Sequence, residues 1–356
     1  MTSLEPPFAV DRAGMTARID GIPEQIDGQI ARLEGFRWAF PADPTLLAIG
    51  GLGGSAIAAE LTGALIADRA PRPWLVVREY GWPAAVRAGA LAFLCSYSGE
   101  TEETLALYRD AASRGVARVA LTTGGTLGAW CARDGIAAAP LPSGSPPRAA
   151  LYASWVSVTH LAGALGWMDD PIGAWRAATA LLRERRETLG SAAPERGNAA
   201  KQLARRLATR RVFVYAGSER VGAVATRFRQ QLNENAKMLG HSATAPELNH
   251  NEIVGWENPG DAWRDTAIVV LRDREDRPEV ARRLALTGEY VTRQGGEAHV
   301  IEAPDGPRLA RMAALAQFAD YLSLYLAVER GIDPTPIASI DEFKRRLAES
   351  AAARGH

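Results

Sequence analysis

Two cysteines in 356 residues, five histidines and no surplus of either charge set the first limits on this chain. Cys95 and Cys131 supply neither a disulfide framework nor metal-ligand spacing, which suits a reducing cytoplasm. Lysine plus arginine matches aspartate plus glutamate at 41 each, so bulk charge offers no partner surface to nucleic acid or to a membrane. His160, His241, His299 and His356 form no pair at ligand spacing, so neither a metal nor another cofactor is expected. The first residues lack a basic region followed by an apolar core, so no signal peptide is expected. No tract is of low complexity. One uncharged run, residues 151–168, approaches membrane-spanning length. Ser154, Ser157, Thr159 and His160 interrupt it, while Leu151, Trp155, Val158, Ala162 and Leu165 form one stripe. A helix buried between protein layers is expected there.

What is present is alternation. Strand patterns at 45–49, 74–78, 91–95 and 116–121 alternate with helical patterns at 55–68 and 102–114. After a helical stretch, 151–208, the pattern resumes with strands at 211–215, 266–271 and 298–301 and helices at 221–239, 278–295 and 308–331. Such alternation predicts an α/β fold with parallel sheets covered on both faces. The length fits about two domains, and the halves read as a diverged duplication. The expected division is 1–160, a helical linker at 161–208, 209–330, and a tail helix at 331–356.

Three segments carry chemistry. Gly50-Gly51-Leu52-Gly53-Gly54-Ser55-Ala56 joins a strand to a helix, where bare backbone N–H groups can approach an anion. A loose dinucleotide fingerprint also fits, but Glu79 is only a fair acidic partner for it. Ser96-Tyr97-Ser98-Gly99-Glu100-Thr101 opens another helix. One hydroxyl suffices as a cap; three, with Ser55 nearby, suit a phosphate cradle. Leu232-Asn233-Glu234-Asn235-Ala236-Lys237 ends a helix whose apolar row is Phe228, Leu232, Ala236 and Leu239. Glu234 points away from that row, and an exposed pair with Lys237 is the plain alternative. The flanking asparagines suit orienting a hydroxylated ligand. His250 follows in Pro246-Glu247-Leu248-Asn249-His250-Asn251-Glu252.

Together with Asp333-Pro334-Thr335-Pro336-Ile337, these motifs resemble the bifunctional phosphoglucose/phosphomannose isomerase family, over about residues 49–344. That resemblance implies two sugar isomerase (SIS) domains, each a parallel-sheet αβα sandwich, and a metal-independent aldose–ketose isomerase. It places a sugar phosphate on Gly53, Gly54, Ser55, Ser96, Ser98 and Thr101. It also implies a catalytic base at Glu234, a ring-opening acid at His250, an active-site cation at Arg148 and a lysine at Lys344. Thr335 lines the pocket in this reading, and a homodimer with shared sites is implied. Leu52 and Ala56 depart from the Met and Gly expected at those places.

The residue types fit the reaction. A carboxylate can carry a proton between C1 and C2, a histidine titrates near working pH, and a fixed cation steadies an enediolate. A non-catalytic sugar-phosphate sensor would have no need of Glu234 with His250. A nicotinamide-dependent dehydrogenase would not need the second serine loop, and an aminosugar synthase would normally need a glutaminase segment.

Overall fold

The computed structural model describes residues 3–257 and 263–354. Two short helices, α1 (Met15–Asp20) and α2 (Ile22–Leu33), lead into the first sheet. The first half then runs β1 (Leu47–Gly51), α3 (Gly53–Ile66), β2 (Trp74–Val77), β3 (Leu91–Cys95), α4 (Glu102–Ser113), β4 (Ala117–Thr122), α5 (Gly125–Asp134) and β5 (Ala138–Pro140). Three helices follow, α6 (Leu151–Ala164), α7 (Pro171–Leu189) and α8 (Ala199–Leu207). The second half runs β6 (Arg211–Gly217), α9 (Gly222–Glu234), β7 (His241–Ala245), β8 (Thr266–Arg272), α10 (Pro278–Arg293), β9 (Glu297–Glu302) and α11 (Arg308–Glu329), before α12 (Ala338–Arg354).

The expected α/β class is observed, with all described strand pairs parallel. The sheet orders are β2-β1-β3-β4-β5 and β7-β6-β8-β9, the second repeating the first short of one strand. β1 and β3 are buried along their whole length, as parallel strands covered on both faces must be. In the second sheet the faces part by alternation. Val212 and Val214 join Phe228 and Leu232 of α9 in the main core. Tyr215, Ile268 and Val270 join Val280 and Leu284 of α10, with Leu248 and Trp256, in another. The main core spans both halves, and α6 and α11 run through it. α11 is buried at every residue from Leu309 to Val328. α6 is buried from Leu151 to Thr159, so the uncharged run is the interior helix expected. No helix among the described residues is long and apolar enough to cross a membrane.

The helical stretch expected at 151–208 divides into three helices, because Asp170 and Asn198 each cap a new start with their side chains. Two expectations need correction. The helix expected to reach residue 239 stops at Glu234. Lys237 takes φ 51, a left-handed conformation that ends helical propagation. Leu239 therefore leaves the apolar row and is 93% exposed, while Met238 turns inward. No strand is expected from the sequence between residues 215 and 266, yet the polar segment after Leu239 contains β7, an edge strand paired only to β6. Its His-Ser-Ala-Thr-Ala sequence has no apolar run by which to recognise a strand.

Candidate active site

The first-sheet order 2-1-3-4-5 has its switch point between β1 and β3, where ligands of open α/β sheets bind beyond the strand C-termini. Both hydroxyl-bearing loops emerge there, since Gly51 and Cys95 lie opposite each other. Gly53 needs its glycine for φ 52, and a Cβ on Gly54 would sit 2.9 Å from the Pro147 carbonyl oxygen. Ser55 and Ser96 are buried, and Ser98 is exposed. Ser96 Oγ and Thr101 Oγ1 share a hydrogen bond of 2.8 Å, and Gly99 N donates to Ser96 Oγ. Glu100 N donates to Ser98 Oγ. Neither α3 nor α4 has a side-chain cap, so these hydroxyls are not spent as caps in the ordinary sense.

The contact at Gly54 joins this cradle to Arg148. Arg148 lies in a one-turn 3-10 helix, Pro147–Ala150, ahead of α6. Ser145 N donates to the Tyr97 hydroxyl, which donates to the Pro142 carbonyl, tying the approach segment to the second loop. Arg148 is 2% exposed, and its Nη1 stands 3.6 Å from Glu234 Oε2 at the end of α9. Burial lowers the Arg148 pKa, and the Glu234 charge opposes that shift. Its Nη2 donates to the carbonyls of Pro334 and Thr335, at 2.7 and 2.8 Å. Thr335 is held in turn by its N–H to Asp333, and its buried Oγ1 has no hydrogen-bond partner.

One chain therefore gathers Gly53, Gly54, Ser55, Arg148, Glu234 and Thr335, with Ser96, Ser98 and Thr101 on the adjoining loop. It leaves His250 and Lys344 elsewhere. Gly240 N donates to Asn233 Oδ1, so β7 begins beside the end of α9. His250 follows the far end of β7, exposed, next to Asn249, which bonds Thr287 of α10. Five residues of strand, about 16 Å at ~3.3 Å each, separate those ends. The sheet also lies between them, because α9 and α10 cover opposite faces. Lys344 is exposed on α12, as is each residue from Ala338 to Leu347.

The plain alternative for Glu234, an exposed pair with Lys237, is not what forms: Lys237 Nζ donates to the Glu234 backbone carbonyl at 2.5 Å and to Pro334 at 3.3 Å. Desolvation, with the Arg148 charge adding, lowers its pKa. The flanking asparagines orient protein: Asn233 Oδ1 accepts from Gly240 N, and Asn235 Oδ1 from Arg148 Nε. A hollow of about 820 Å³, lined in part by Trp38, His160 and Trp167, lies at the other end of the first sheet and holds none of these groups. Among the described residues, no three His, Cys, Asp or Glu side chains form a group able to hold a metal ion.

Residues 196–347 match the family model described as the bacterial phospho-glucose isomerase C-terminal SIS domain. A Caldicellulosiruptor bescii protein named bifunctional phosphoglucose/phosphomannose isomerase is 38% identical, over 85% of this chain and 89% of its own. The Aquifex aeolicus protein of that name is 29% identical, over 85% and 90%. Among solved structures, a glucose-6-phosphate isomerase like protein from Thermus thermophilus superposes at TM-score 0.63 and 21% identity, covering 94% of this chain and 98% of that one. Tagatose-6-phosphate ketose/aldose isomerase from Escherichia coli gives 0.65 at 15%, covering 92% and 96%. At these identities the structures speak for the fold alone.

Proposed function

The chain belongs to the bifunctional phosphoglucose/phosphomannose isomerase family, and from that premise we propose that it interconverts glucose 6-phosphate or mannose 6-phosphate with fructose 6-phosphate. The observation that carries this reading is the buried Arg148 facing Glu234 at 3.6 Å, joined through Gly54 to the serine cradle. The cradle hydroxyls and uncapped helix N-termini take the phosphate. Glu234 carries the proton between C1 and C2 of the open-chain sugar. Arg148 Nη1 faces the charge of the enediolate. Thr335 Oγ1, buried and unpartnered, meets the sugar near C2 and relaxes selectivity between the two aldoses. A sensor that only binds would gain nothing from a carboxylate held against this arginine.

Ring opening needs an acid, and we assign it to His250, assisted by Lys344. The chain's own His250 lies beyond β7 on the other face of its sheet, which supports a homodimer in which a second copy donates it. Two free, buried cysteines support a reducing compartment, the cytoplasm. Incubating the protein with fructose 6-phosphate and a chelator should yield both aldose phosphates. Absence of either product would end the bifunctional reading. Mixing Glu234→Gln with His250→Ala subunits, each inactive, should restore activity through one native site per mixed dimer. Confirmed mixed dimers without activity would refute the shared site.

A further inference from the structure

Arg148 carries five N–H donors, and three are spent inside the chain. Nε donates to Asn235 Oδ1 at 2.8 Å, and both hydrogens of Nη2 go to the Pro334 and Thr335 carbonyls. Among the described residues, Nη1 alone has no hydrogen-bond acceptor, since its 3.6 Å to Glu234 is beyond bonding distance. The geometry thus presents one pair of N–H groups towards Glu234 and fixes the rest.

Asn235 is itself held. It is fully buried, and its Nδ2 donates to Ser323 Oγ at 3.0 Å. Ser323 Oγ donates to the Asp320 carbonyl. The Asp320 carboxylate accepts from Arg227 Nη2 at 2.9 Å and from Gln231 Nε2 at 2.5 Å. Arg227 Nη2 also donates to the Arg148 backbone carbonyl at 2.8 Å, so the frame grips Arg148 at both ends. Arg227, Gln231, Asn235, Asp320 and Ser323 are all at most 2% exposed, and all belong to α9, its C-cap or α11. A buried asparagine with both ends satisfied is a rigid element, because losing either bond leaves an unpaired polar group.

We propose that Asn235 is a positioning residue for the isomerisation: it turns the Arg148 guanidinium so that Nη1 faces the reacting carbons, and the Ser323–Asp320–Arg227 frame keeps it there. This role rests on the isomerase reading. It acts through Arg148, so it has a signature that a merely stabilising contact lacks.

The test is a double-mutant cycle on the full-length protein with fructose 6-phosphate, using Asn235→Ala, Arg148→Ala and the pair. Asn235→Ala should lower kcat about 10- to 100-fold, the scale of one misplaced electrostatic donor, while KM stays within about threefold. In the Arg148→Ala background the same change should cost less than about twofold, because interacting residues are not additive. If Asn235→Ala does not fold, Ser323→Ala, which frees the Asn235 amide but keeps its oxygen, enters the same cycle, with an expected loss in kcat of about three- to tenfold. Losses that multiply in the double variant, or a rise in KM with kcat unchanged, would overturn the role of Asn235 alone. A wild-type chain that turns over none of the three sugar phosphates would overturn the isomerase reading and this role with it.

Discussion

The two halves of the chain repeat one layout and fill it with opposite chemistry. β3 ends at Cys95, and the first and third residues beyond it are Ser96 and Ser98. β8 ends at Arg272, and the residues in those places are Asp273 and Glu275. Pro147-Arg148 leads into α6, and Pro307-Arg308 leads into α11. Arg148 reaches the end of α9 at Glu234; Arg308 reaches the end of α3, at the Leu65 carbonyl and Asp68. In the first half the hydroxyls bond one another and nearby backbone, and Arg148 keeps Nη1 uncommitted. At the corresponding place in the second half, each side-chain nitrogen of Arg308 and Arg311 has an acceptor. Arg311 forks onto Asp273 at 2.8 and 3.0 Å and also bonds Glu275, while Arg308 bonds Glu275 and Asp68. Burial works against an ionised Glu275, yet Arg311 and Arg308 outweigh it and lower its pKa. The protein's own carboxylates stand where a ligand's anion would otherwise meet these cations. On the proposed reading, a duplicated fold keeps a site where it leaves donors unpaired, and gains a clasp where it pairs them.

That contrast can be broken at both ends. Glu234→Gln keeps shape and removes the base, so it should lower kcat about 10²- to 10⁴-fold and stop exchange of the C2 proton, read by NMR in deuterated solvent. Retained turnover would make Glu234 a bystander and erase the difference between the halves. Arg311→Ala should act on stability instead. It leaves Asp273 buried without its partner, at a cost of about 3–5 kcal/mol in urea unfolding, while KM in surviving folded protein is unchanged. A weaker phosphate interaction in that variant would show that the second crevice still takes ligand. Smaller again, Ser96→Ala with Thr101→Ala should weaken phosphate-bearing inhibitors by about 1.5–3 kcal/mol per lost bond and spare their dephosphorylated analogues. Equal weakening of both ligand types would reduce the cradle to local packing.

Much of this was legible in the sequence because it is local. The serine loop, the Gly53-Gly54 turn and the α/β alternation each announce themselves within a few residues, and the strands and helices that carry them form close to the expected places. What escaped reading depends on distant partners or on missing signals. β7 has no apolar run, since an edge strand of small residues needs only one neighbour. The end of α9 is set by the backbone of Lys237, a residue type that gives no warning of φ 51. Asn235 looks like a ligand-binding amide beside a catalytic carboxylate. Its role as a brace for Arg148 depends on residues 87 and 88 positions away in sequence, Arg148 and Ser323. The clasp of the second half was likewise unread, because Asp273, Glu275, Arg308 and Arg311 make an ordinary charge pattern until α11 is laid across the β8 loop.

The smallest expected effect lies at Asp68, the residue that Arg308 holds at the end of α3. Hydrogen bonding to Arg308 is the main cause that lowers its pKa from 3.8 to about 2, with burial opposing. A carboxyl whose folded pKa is depressed stabilises the protein at pH above its unfolded value, and that contribution disappears as pH falls through the folded value. The side chain is 47% exposed, so solvent screening reduces the raw figure of about 2.4 kcal/mol to roughly 1 kcal/mol or less. Asp68→Asn should therefore unfold at slightly lower urea than wild type at pH 7, and the difference should shrink between pH 4 and pH 2, the window set by the two pKa values. Turnover should not change, since Asp68 is tied to Arg308 in the clasp and is not among the groups gathered around Arg148 and Glu234. A fall in kcat without loss of stability would show that the second crevice takes part in catalysis, and the division of labour between the halves would have to be abandoned.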